Sequence, residues 1–122
     1  MFKAADYPHY PTPTENIHIP LGATYKHKFA YTHSDGAPVD LRSCAASLVV
    51  KDSAGTVIYT ATDASGHFVI PTAADYGAVD LELQAADIAA FTWTSGTYVV
   101  SVTLPDGEVV LLRRGDIYVG DY

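Results

Sequence analysis

The stretch that decides the fold runs from Gly96-Thr97-Tyr98 through Pro105-Asp106-Gly107 to Gly115-Asp116-Ile117-Tyr118-Val119. Tyr98, Val100, Val102 and Leu104 alternate with Val99, Ser101 and Thr103, the period of two that one buried sheet face requires. Pro105 presets the first turn angle, Asp106 tolerates the second, and Gly107 can take the left-handed conformation that closes a short hairpin. Past the turn, the register of Val110 and Leu112 does not continue into Ile117 and Val119, which predicts a bulge at Gly115.

The same pattern recurs upstream. Ile17 and Ile19 predict a short first strand, ended by Pro20 and Gly22. Tyr25, His27, Phe29 and Tyr31 share one face of a second strand, with Lys26 and Lys28 on the other. Ala46, Leu48 and Val50 mark a third, and Asp52-Ser53-Ala54-Gly55 turns the chain into a fourth over 56–60. Asp63-Ala64-Ser65-Gly66 precedes Phe68 and Ile70. Val79, Leu81 and Leu83 point inward while Asp80 and Glu82 point out. Residues 85–91 are alanine-rich and long enough for only one or two helical turns, which predicts a crossover from one sheet to the other. Phe91 and Trp93 should cap one end of the core. Seven or eight short strands with turn signals between them predict an all-β, immunoglobulin-like antiparallel β-sandwich over residues 15–122.

Residues 1–14 differ. Tyr7-Pro8-His9-Tyr10-Pro11-Thr12-Pro13 holds three prolines within six residues, which rules out helix and central strand. Two states fit: a solvated tail, or an extended arm laid on a neighbouring subunit. Tyr7 and Tyr10 favour the arm, because solvated tails are poor in aromatics. Tyr7, Pro8, His9, Tyr10, Pro11 and Pro13 are therefore the candidate partner-binding residues.

The 122 residues suit one domain, and the formal charge of −7 opposes nucleic-acid binding, which needs clustered Lys and Arg. No apolar run approaches the roughly 20 residues of a helical membrane span, and the start lacks the order of a signal peptide. A single cysteine, Cys44, allows no intrachain disulfide, so a reducing cytoplasm is the expected place of synthesis. Nine tyrosines suit both strands and interfaces.

No catalytic grammar stands out. His18, His27 and His33 lack metal-ligand spacing, and the acidic positions Asp35, Asp63 and Asp106 beside glycines read as turns rather than calcium loops. Asp80 and Glu82 share a strand face, as a solvated face demands. Cys44, among small residues, reads as a buried small hydrophobe. The chain carries no nucleophile elbow, phosphate loop or dinucleotide fingerprint, so neither enzyme activity nor a cofactor is expected.

Four pieces in order carry a resemblance: Gly22-Ala23-Thr24-Tyr25; Asp35-Gly36-Ala37-Pro38-Val39-Asp40-Leu41, whose Asp40-Leu41 should start a strand; the 85–91 crossover before Gly96-Thr97-Tyr98; and Leu104-Pro105-Asp106-Gly107-Glu108-Val109 with Leu112, Gly115 and Val119. This order resembles small immunoglobulin-like virion proteins of tailed bacteriophages, in particular the N-terminal domain of baseplate upper proteins. The resemblance implies a structural protein of the tail, baseplate or tail-fibre junction, made in the host cytoplasm. Its partners would be other virion subunits, met in multiple copies on a symmetric particle, with neither nucleic acid nor membrane among them. Those proteins continue into further domains and lack a preceding Pro/Tyr arm. A capsid decoration protein is therefore the alternative. A carbohydrate-binding or adhesin module, stacking sugars on exposed Tyr and Trp93, is a third.

Overall fold

A computed structural model describes residues 14–31, 39–70 and 77–120. Among them are eight strands and one helix: β1 Ile17–Ile19, β2 Tyr25–Ala30, β3 Ala45–Lys51, β4 Val57–Thr62, β5 Phe68–Val69, β6 Ala78–Leu83, α1 Ala85–Ala89, β7 Ser95–Thr103 and β8 Val109–Val119. They form a five-stranded sheet, β1-β8-β7-β3-β4, and a three-stranded sheet, β2-β6-β5. Every ladder is antiparallel except β1/β8, where Ile17, His18 and Ile19 run parallel to Ile117, Tyr118 and Val119. The order is that of an immunoglobulin-type sandwich, with β3, β7 and β8 in one sheet, β2, β6 and β5 in the other, and β4 added beside β3.

Alternation becomes core as the sequence requires. Val79, Leu81 and Leu83 are at most 1% exposed, and they face Leu48, Val50, Val100 and Leu112 in one hydrophobic cluster. Asp80 and Glu82 stand directly opposite Lys28 and Lys26 in the β2/β6 register, so this acidic pair belongs to a charge-matched outer face. Helix α1 carries the chain from the three-stranded to the five-stranded sheet, as its alanine-rich stretch predicts. Asp87 accepts a hydrogen bond from the Gln84 N–H at 3.0 Å at the start of the helix, and Ile88 is buried. At the β7/β8 turn, Gly107 takes φ +92° and the Asp106 carboxylate accepts the Glu108 N–H at 2.9 Å.

Two expectations need correction. The bulge in β8 is not at Gly115. Val100 pairs with Arg113 and Ser101 with Leu111, leaving Leu112 as the extra residue. The change of parity between Leu112 and Ile117 is real, but it happens where two successive side chains, Leu112 and Arg113, both turn toward the other sheet. Gly115 instead pairs with Tyr98, and a Cβ there would run into the main-chain carbonyl of Glu15. The second correction concerns Asp40-Leu41, which does not begin a strand. Leu41 is fully buried, but Asp40 closes a local turn, accepting the Arg42 N–H at 3.0 Å and its guanidinium at 2.8 Å, and β3 starts at Ala45.

Candidate functional site

A sandwich has two open sides between its sheets, and in this protein each is closed by a cluster of polar and aromatic side chains. On the β1/β2 side the centre is Glu15. Its N–H donates to the Arg114 carbonyl at 2.8 Å, and its own carbonyl accepts the Tyr98 hydroxyl. Because the bulge turns Arg113 inward, its Nε comes within 3.2 Å of the Glu15 carboxylate, an ion-pair contact without hydrogen-bond alignment. The same guanidinium lies 6.0 Å from the Phe29 ring centre. The Glu15 carboxylate also meets His27 Nε2 at 3.2 Å, and His27 Nδ1 meets the Tyr25 hydroxyl at 3.2 Å. Burial, and secondarily the Glu15 charge, pushes the Tyr25 phenol up to about 12. Tyr98 shifts upward for the same two reasons, burial first. The cluster fastens Glu15, the residue that follows Thr14 and leads into β1.

On the β4/β5 side the rings of Tyr59, Phe91 and Trp93 line a cleft of about 330 Å³ together with Ile58, His67, Ala86, Asp87, Ala90 and Thr92. Tyr59 reaches it because it pairs with Val50 on the inward face of the edge strand β4, and a bulge next to it lets β4 bend. Phe91 and Trp93 follow directly from α1. Phe91 stacks on Trp93 with ring centres 4.9 Å apart and planes 22° from parallel, and Tyr59 meets Phe91 edge-on at 4.6 Å. These rings are half-buried and packed against the core, as a cap on its end requires. The Tyr59 hydroxyl is buried with no hydrogen-bond partner among the described residues.

At the cleft rim, Ser65 Oγ lies 2.7 Å from His67 Nδ1, and His67 Nε2 lies 3.5 Å from Asp87. Serine, histidine and aspartate in series suggest nucleophilic catalysis, but here they close a turn. Ser65 Oγ also accepts the Thr62 N–H at 3.0 Å and contacts the Thr62 carbonyl at 2.9 Å, so its hydroxyl is held by the β4/β5 connection. The chain of bonds ties that connection to α1.

The arm residues Tyr7, Pro8, His9, Tyr10, Pro11 and Pro13 lie outside the described residues, as do His33 and Asp35. His18 packs against Tyr118 with ring centres 5.1 Å apart, on a different sheet from His27, so the two do not converge. Among the described residues no group of three His, Cys, Asp or Glu side chains is placed to hold a metal ion. Cys44 is buried, and desolvation is the main reason its thiol is pushed up to about 11, which makes it a poor nucleophile. Asp63 accepts the Ala46 N–H of β3, tying its turn to that strand, and Asp106 accepts the Glu108 N–H within its own turn. Sequence reasoning found Trp93 and Phe91 but missed Glu15, Tyr59, His67 and Arg113 as members of two clusters. For Arg113 a signal existed in the parity change of β8; for Glu15 none did, since Tyr98 is 83 positions away. No protein-family profile matches this chain, and no curated protein matches it.

Proposed function

We propose that this chain is a non-enzymatic structural protein of a tailed-phage virion, seated at the tail, baseplate or tail-fibre junction, and that it assembles through its sandwich and N-terminal arm. The observation that carries this reading is the fastening of Glu15. Two main-chain contacts and two side-chain partners hold the residue next to Thr14, where the Pro/Tyr segment begins. A solvated tail has no need of such an anchor, whereas a fixed root lowers the entropy lost when the segment beyond it binds a neighbour. The immunoglobulin-type sandwich supports the reading too, because the quoted landmarks fall at its structural joints: Gly96 and Tyr98 open β7, and Pro105 to Gly107 turn it into β8.

Removal of residues 1–14 tests it. The truncated protein should keep its fold and fail to enter particles, as judged by mass spectrometry of purified virions. Undiminished incorporation rules the arm out. A capsid decoration protein would share fold and arm and differ only in place, which electron microscopy of tagged particles distinguishes. The aromatic cleft favours one reading of another class, a carbohydrate-binding or adhesin module. It predicts that Trp93→Ala abolishes glycan binding while the domain stays folded.

A further inference from the structure

The two clusters lie on opposite sides of the sandwich, and this placement gives the molecule a direction. Thr14 bridges to Arg114 beside the β1 edge, while Tyr59 lies on β4, the other edge. Four strand spacings separate β1 from β4, roughly 19 Å. Along the strands the two are not far apart, since the row Tyr59–Val50–Tyr98–Gly115 ends beside Glu15, and only Trp93 is displaced toward the Tyr118 end of β8. The root of the arm and the aromatic cleft thus lie at opposite edges of the sheet.

Deepening the assembly reading above and resting on it, we infer that the cleft of Tyr59, Phe91 and Trp93 receives the Pro/Tyr segment 7–13 of a second copy of this chain. Proline-rich segments dock in aromatic-lined grooves because their extended helix is already formed and loses little entropy on binding. The cleft offers what such a segment uses, namely the faces of two stacked rings and the edge of a third. It offers less of what a sugar uses. Asp87 is engaged by the Gln84 N–H and His67, and His67 is engaged by Ser65. Among the described residues the Tyr59 hydroxyl is a buried donor without a hydrogen-bond partner, and a small turn of its ring would bring it to a proline-rich main chain, which presents carbonyl acceptors with few competing N–H groups.

A donor and an acceptor on opposite sides make the contact heterologous, so copies join head to tail and close into a ring or continue as a filament. In a ring the contact that closes the circle is intramolecular and forms at raised effective concentration, which lets weak single contacts hold the assembly.

The full-length chain provides the test, because Trp93 is its only tryptophan and reports on the cleft. Sedimentation should show association rising with concentration, and Trp93 emission should shift to the blue with the same midpoint. Ala86→Arg, at an exposed position of α1, blocks the cleft and keeps the arm. Tyr7→Ala/Tyr10→Ala keeps the cleft and strips the arm of its rings. Each variant alone should associate roughly tenfold or more weakly, as loss of an aromatic anchor does. Mixed, the two should form a one-to-one pair that grows no further, since only one arm and one open cleft remain. A peptide of residues 6–14 should shift Trp93 emission in the arm variant and not in Ala86→Arg. Variants that associate like the parent, a mixture that forms no pair, or a full-length chain that stays monomeric and ignores the peptide would each overturn the inference. So would a cleft that answers to a hexose oligosaccharide and not to the peptide. Particle incorporation is read separately. Association through arm and cleft without incorporation sinks the virion reading alone, and normal incorporation of Ala86→Arg sinks this one alone.

Discussion

The Tyr98 hydroxyl donates to the main-chain carbonyl of Glu15, 83 positions earlier, across the paired Gly115. The bond joins the middle of the five-stranded sheet to the residue that leads into β1. Tyr98→Phe keeps the buried ring and removes the donor, so it should cost about 1 kcal/mol, the usual net worth of such a bond plus part of the penalty for an orphaned carbonyl. Urea denaturation measures the loss. Hydrogen exchange should place it in β1, with the amides of Ile17 to Ile19 exchanging faster than those of β3.

Gly115→Ala attacks the same joint from the other strand. The added methyl meets backbone rather than a flexible side chain, so Glu15 must move. The expected cost is about 1–3 kcal/mol, as for overpacking elsewhere. Combined with Tyr98→Phe, the two losses should add up to less than their sum, because either change already loosens Glu15. Strict additivity in the double-mutant cycle would show that the two residues act apart.

Alkaline pH should weaken the fold progressively, with Cys44 first and the buried tyrosines Tyr25, Tyr59 and Tyr98 after it. Cys44 rises from 9.0 to about 11 and Tyr25 from 10.0 to about 12, each chiefly through burial. Both groups hold their proton more tightly folded than unfolded. Their contribution is fully present below the unfolded value and is lost as pH rises through the folded one. Denaturation midpoints should therefore hold steady up to about pH 9 and fall from there. Cys44→Ala should delay the onset of the fall, and Tyr25→Phe should shallow its later part. A flat profile to pH 12 would contradict the assignment. Cys44 is buried and should therefore react with thiol reagents far more slowly in the folded protein than in urea.

Trp93→Ala removes one ring of a half-buried stack. Full burial would put the cost at roughly 3–5 kcal/mol; a partly exposed ring should cost roughly half of that. Thermal denaturation measures it, and the domain should remain folded enough for binding to be assayed in the same variant.

The sandwich was legible because it is written in local alternation. Val79 to Leu83 and Tyr98 to Leu104 state their buried faces within a few residues, and the turn at Gly107 states its own backbone angle. What stayed illegible depends on partners far apart in the chain. The parity change in β8 announced a bulge, yet only the pairing with β7 shows that Leu112 is the extra residue and that Arg113 is thereby aimed at Glu15. Gly115 carried the signature of a bulge for a different reason, the close passage of Glu15. Asp40-Leu41 showed buried and capping chemistry that serves a turn as well as a strand. The cleft could not be foreseen, because Tyr59, His67 and Trp93 come together only once two sheets face each other.

The short β1 ladder has a mechanical consequence. A pull between the arm root at Thr14 and the exit of β8 at Gly120 would act along two parallel strands from opposite ends. The β1/β8 bonds would then be strained together, sideways, instead of opening one after another like a zipper. The link from Tyr98 to Glu15 and the Gly120 N–H donating to the Ile19 carbonyl at 2.9 Å bracket that patch at its two ends. Three residues of strand thereby become a tether suited to tension.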